Sequence, residues 1–122
     1  MSVSESESVI MQVLWNRSPL AADEIVAALG DAREWQEATV KTLINRLLNK
    51  GAIAAEKQGR RYLYRPLLDR DEYVHGESRR LLDRLFGGRV APLVAHFSAH
   101  RKLSKKDIAE LKRLIAELPD ER

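Results

Sequence analysis

The stretch Glu37 to Lys50, EATVKTLINRLLNK, constrains the chain more than any other. Its apolar residues Val40, Leu43, Ile44, Leu47 and Leu48 recur at i, i+3, i+4, i+7 and i+8, the stripe of one buried helix face. At about 100° per residue, Ala38, Thr42, Asn45 and Asn49 point the opposite way, flanked by Lys41 and Arg46. That outward face reads as small, amide-bearing and cationic, with no carboxylate on it. A face meant only for water usually mixes in Glu and Asp, which pair with Lys and Arg four residues away. Amides, hydroxyls and cations together are the groups that read base edges and hold phosphates. The face therefore predicts contact with duplex DNA.

The distribution of charge points the same way. The net charge of the 122 residues is only +3. Residues 1–32 hold one Arg against five acids, a net −4, and residues 66–122 hold twelve basic against ten acidic side chains, a net +2. Residues 33–65 hold eight basic residues against Glu34, Glu37 and Glu56, a net +5. A local basic excess on an otherwise balanced chain is the footprint of a duplex binder. There is no cysteine, which excludes a disulfide scaffold, a thiol nucleophile and thiolate-based metal sites. No apolar run approaches the ~20 residues that span a bilayer, and the opening MSVSESESV is polar and acidic, unlike a signal peptide. A cytoplasmic location with no membrane insertion is the expectation, with no cofactor and no metal.

Along the chain, Ser4 or Ser6 can cap a first helix, with Glu5 and Glu7 favouring its positive end and Val9, Ile10, Val13 and Leu14 as its stripe. Arg17-Ser18-Pro19 breaks it. A second helix covers about Ala22 to Leu29, ended by Gly30-Asp31. Residues 31–36 form a connector in which Trp35 is wedged between helices. The 37–50 helix follows, with Gln36 as a poor N-cap and Gly51 as a good terminator. Strands at about 53–57 and 61–65 make a hairpin tipped by Gly59, Arg60 and Arg61, since Tyr62, Leu63 and Tyr64 favour strand and Gln58-Gly59 favours a turn. Three helices and a hairpin are the winged helix-turn-helix plan, in which the third helix enters the major groove and the hairpin tip reaches the backbone or minor groove.

Beyond Pro66 the periodicity is helical. Asp69 caps a helix to about Phe86, Gly87-Gly88 breaks it, and a second helix runs from about Val90 to His100. Ser104-Lys-Lys-Asp107 opens a last helix that stops at Pro119. These residues, about 55 in number, have no disulfide or metal and are marginal alone. Their apolar faces need a partner, and a second copy would also set two recognition helices on a palindrome. The expected fold is mainly α with a small β-hairpin: a winged-helix DNA-binding domain over residues 1–67, then a three-helix dimerisation domain over 68–122. The dimerisation residues are Leu81, Leu82, Leu85, Phe86, Leu93, Phe97, Ile108, Leu111, Leu114 and Ile115.

The strings ATVKTLINRLLNKGAI, GRRYLYRPL, LLDRLFGG, APLVAHF and KLSKKDIAELKRLI, with VLW at 13–15, resemble the penicillinase-repressor family of the BlaI/MecI type. The resemblance runs from about Glu5 to Leu118. It implies a winged-helix domain and a C-terminal dimerisation domain, acting as a homodimeric repressor on a palindromic double-stranded DNA operator. It carries the DNA-contacting helix surface onto Thr39, Lys41, Thr42, Asn45 and Arg46, and the wing tip onto Gly59, Arg60 and Arg61. It also implies release by a membrane sensor metalloprotease, cutting at the bond that here is His96–Phe97. Three departures stand out. His96 replaces the usual Asn before the cut. Gln36-Glu37 stands where relatives often have Ser-Pro. The cysteine motif of copper-responsive relatives is missing, which excludes copper sensing by that route.

Two other functions have some support in the residues. An enzyme could use His75, His96 and His100, and His96 and His100 share a helix face at a chelating spacing. No acidic third ligand and no Gly-rich phosphate loop accompany them, so they read as surface or interface histidines. The alternative to a repressor is a winged-helix protein-interaction module without specific DNA binding. Such modules place acids or apolar groups on the third helix, whereas this chain places Lys41, Thr42, Asn45 and Arg46 there.

Overall fold

Ser4, not Ser6, starts the first helix. Its hydroxyl accepts the Glu7 N–H at 3.1 Å and the Glu7 carboxylate accepts the Ser4 N–H at 2.9 Å, closing both ends of a capping box. In the computed structural model, which describes residues 1–30 and 34–119, this helix is α1, Glu5–Asn16. Helix α2 is Ala22–Leu29 and α3 is Glu37–Lys50. Part of the expected break after α2, at Asp31, and the first half of the connector lie outside the described residues. Strands β1, Ile53–Gln58, and β2, Arg61–Pro66, pair antiparallel from Ile53 opposite Pro66 to Gln58 opposite Arg61. Helices α4, Arg70–Leu85, α5, Val90–Ala99, and α6, Lys105–Glu117, complete the order. A mainly helical chain with one two-stranded hairpin is the fold class expected from the sequence.

The chain divides into two compact units, Met1–Val74 and a second that begins at His75. The core of the first unit is built by α1, α2 and α3. Ile10, Met11 and Leu14 of α1, Ile25 of α2, and Val40, Leu43, Ile44 and Leu47 of α3 are all buried. The helical stripe read along 37–50 is thus the innermost surface of this unit. Burying it supplies about 1.5–3 kcal/mol per large side chain, enough to hold α3 in one rotation about its axis. Trp35 is half-buried against the same core, as expected for a wedge at the start of α3. Gly51 closes α3 in the left-handed region at φ 77°, where its N–H bonds to the Leu47 and Leu48 carbonyls. No side chain caps the other end at Gln36.

The hairpin is tied to the helices through its second strand. Tyr64 N–H donates to the Leu20 carbonyl at 2.8 Å, and Leu20 N–H returns to the Tyr64 carbonyl at 3.1 Å. Leu20 itself is buried. The start of α4 belongs to the first unit as well. Trp15 stacks at 5.4 Å on Tyr73, and its indole N–H donates to the Leu68 carbonyl at 2.9 Å. That single tryptophan anchors the stretch that follows the hairpin.

In the second unit, α6 opens on the predicted box. Asp107 N–H donates to the Ser104 hydroxyl at 3.0 Å. None of α4, α5 or α6 contributes a buried residue. Leu85 and Ile115 are 58% and 65% exposed, and Leu81, Phe97, Ile108 and Leu114 are also exposed. Leu82, Phe86, Leu93 and Leu111 are half-buried. Among the described residues no helix is long and apolar enough to cross a membrane.

Candidate nucleic-acid interface

Burial of Val40, Leu43, Ile44 and Leu47 turns the rest of α3 outward. Ala38, Thr39, Lys41, Thr42, Asn45, Arg46 and Asn49 are all exposed. Asn45 and Arg46, one turn along from Lys41 and Thr42, have no side-chain partner among the described residues. Their donors and acceptors are uncommitted, as a surface awaiting a ligand requires.

Two side chains of this face are already engaged. The Thr42 hydroxyl donates to the Ala38 carbonyl at 3.0 Å, so it keeps lone pairs to accept with but no proton to give. Lys41 pairs with Glu37 at 3.4 Å. The face is therefore not free of carboxylates, as the helical wheel alone suggested. Glu37 is one turn before Lys41 in the helix, within ordinary i, i+4 reach. The pair is exposed on both sides and worth well under 1 kcal/mol, so a phosphate can displace the carboxylate.

At the wing, the two-residue turn Gly59-Arg60 joins the paired Gln58 and Arg61. Gly59 sits at φ 65°, a left-handed conformation that a two-residue hairpin asks of its first turn residue. Arg60 is exposed at the tip with no partner among the described residues. Arg61 differs. Its Nη2 lies 3.1 Å from Glu24 Oε1 and 3.4 Å from Asp23 Oδ1, at the start of α2. Nothing local in the sequence links Asp23 and Glu24 to the wing, because the partners are nearly forty residues apart.

The residues read as dimerisation residues and the histidines belong to the second unit. His96 is exposed on α5, its ring 5.4 Å from Phe97, 6.1 Å from Phe86 and 4.4 Å from His100. Among the described residues, no three metal-ligating side chains gather.

Comparison with known proteins bears on the family and the fold. The family model described as penicillinase repressor matches residues 3–117. The penicillinase repressor of Bacillus licheniformis is 30% identical over 115 residues, covering 94% of this chain and 90% of that protein. The penicillinase repressor of Staphylococcus aureus is 28% identical over 118 residues, covering 97% and 94%. Among solved structures, the DNA-binding domain of the repressor BlaI is similar at a TM-score of 0.54 and 32% identity, over 59% of this chain and 88% of that one. Bacillus licheniformis BlaI in its monomeric form, in complex with the blaP half-operator, is similar at a TM-score of 0.52 and 32% identity, over 60% and 89%. A family match over nearly the whole chain, with two relatives matched almost end to end, shows that this chain belongs to the penicillinase repressor family, a family of transcriptional repressors and not of enzymes.

Proposed function

We propose that the chain is a homodimeric repressor that binds a palindromic DNA operator with α3 in the major groove and the wing tip on the flanking backbone. The observation that carries this reading is the outward face of α3. Asn45 and Arg46 stand there exposed and unpartnered on a helix whose opposite face, Val40, Leu43, Ile44 and Leu47, is buried. Asn45 suits adenine and Arg46 suits guanine or phosphate. Thr39, Thr42 and Lys41 extend the surface, with Thr42 as an acceptor and Lys41 exchanging Glu37 for a phosphate. Arg60 holds backbone at the tip. A similar protein, BlaI of Bacillus licheniformis, has been solved on a half-operator, which supports DNA as the ligand. Repression follows from occupying the promoter, with no chemistry performed.

Dimerisation is assigned to the second unit, because its helices expose Leu81, Leu85, Phe97, Ile108, Leu114 and Ile115 and bury nothing of their own. An apolar surface of this kind is the mark of an unfilled interface. Release by a sensor metalloprotease is assigned to the His96–Phe97 bond, within α5. A cut there divides the dimerisation helices and leaves each copy with half of the phosphate contacts.

Two experiments test these assignments. On its selected operator, Arg46→Ala should weaken binding by about 1–3 kcal/mol and relax preference at one base position. Unchanged affinity and preference would remove α3 from the interface. For release, a protein with a specific protease site inserted at His96–Phe97 should bind normally until cut, then lose on the order of tenfold or more in affinity as the two half-sites cease to be linked. Affinity preserved after complete cutting would contradict the assignment.

A further inference from the structure

By sequence, Arg60 and Arg61 are equivalent cations at the wing tip, but the structure separates them. We propose that Arg61 is a positioning residue: the carboxylates of Asp23 and Glu24 hold its guanidinium and so orient the wing against α2, and its charge is not delivered to DNA. This inference rests on the DNA-binding reading above and deepens it.

Three observations converge on one seam of the first unit. Arg61 reaches both Glu24, at 3.1 Å, and Asp23, at 3.4 Å. The Glu24 oxygen that receives it also accepts the Ala21 N–H at 2.9 Å, so the acceptor is itself fixed at the start of α2. Three residues further along β2, Tyr64 and the buried Leu20 exchange two backbone hydrogen bonds. Segment 20–24 and segment 61–64 are therefore joined at both ends, by a backbone bridge at one and by a charged fork at the other. Arg60 has no such tie.

The local charge then decides what each arginine can do. Arg61 with Asp23 and Glu24 forms a cluster of net charge −1, which offers a phosphate no attraction. To bind DNA, Arg61 would have to leave both carboxylates uncompensated beside the duplex. Arg60 presents a full positive charge at the tip. The wing thus spends one arginine on its own placement and one on the ligand. Neutral side chains at positions 23 and 24 would free Arg61 to become a phosphate contact.

The test is the salt dependence of affinity of the full chain for a fluorescent duplex of random sequence. Each phosphate contact contributes about 0.9 to the slope of log affinity against log salt. Arg60→Ala should flatten the slope by about that amount per engaged wing. Arg61→Ala should leave the slope at its original value while weakening binding about two- to fivefold. Asp23→Asn with Glu24→Gln, which keeps the acceptor for Ala21, should tighten binding and steepen the slope by about 0.9. Adding Arg61→Ala to that pair should abolish the steepening. A slope flattened by Arg61→Ala alone, or a steepening that persists without Arg61, would overturn the proposal. Wing placement is read separately, without DNA, by hydrogen exchange of the Leu20 and Tyr64 amides. Exchange should quicken about two- to fivefold in Arg61→Ala, and unchanged exchange would also overturn it. If no protein of the set holds the duplex, the DNA-binding reading fails and the exchange result alone judges the contact.

Discussion

Glu7 is only 1% exposed, yet it is charged in the fold. Burial by itself would push its carboxyl up. The hydrogen bond from Lys50, the Ser4 backbone N–H, the Lys50 charge and the Ser4 hydroxyl outweigh it and hold the carboxyl below its ordinary value. Lys50 also donates to the Ser2 carbonyl at 2.8 Å, so the last turn of α3 is tied to the start of α1 and the residues before it. A carboxyl depressed by folding contributes stability above its unfolded value, and that stability is lost as pH falls through the folded value. Glu7→Gln should therefore lower stability at neutral pH by about 1–3 kcal/mol and remove part of the acid sensitivity. Urea titrations at a series of pH values check this. Parallel loss of stability in both proteins on acidification would contradict it. From the sequence, Glu7 reads as a first-turn acid of α1. Its role as the partner of Lys50 was not legible, because a contact across 43 positions leaves no local pattern.

At the scale of elements, much was legible because local and long-range demands agree. Helices α2 and α3 begin and end at the expected residues, since each has an apolar stripe and a break on either side. The hairpin was legible from Gly59 and the Tyr62–Tyr64 run, and both strands extend one residue beyond the expected ends. Leu20 opposite Tyr64 was not, because one bridging residue between two helices has no periodicity to betray it. Nor was the Arg61 fork, for the reason given above. The outward face of α3 was read correctly except for Glu37, which the wheel treated as outside it. Gly76 is the weak point of α4, and a Cβ added there meets nothing within 4 Å. Gly76→Ala should raise the stability of the second unit by up to about 1 kcal/mol, read in a thermal melt or by slower amide exchange along α4. A destabilised variant would mean that the space beside Gly76 is filled in solution.

At the scale of the molecule, the two units divide the labour that the proposed function needs. The first has a closed core of its own and a basic helix face on which Asn45 and Arg46 are uncommitted. The second has helices with apolar faces and nothing buried. In the proposed dimer a second copy would cover those faces. A C2 pair would present two copies of α3 to a symmetric site. Operator binding by a dimer is read most directly by selecting genomic DNA fragments on the purified full chain at physiological salt and sequencing what is retained. A homodimeric repressor should retain a palindrome with half-sites about one or two helical turns apart. Even retention of all fragments, lost as salt rises, would contradict that reading and leave a basic surface without an operator.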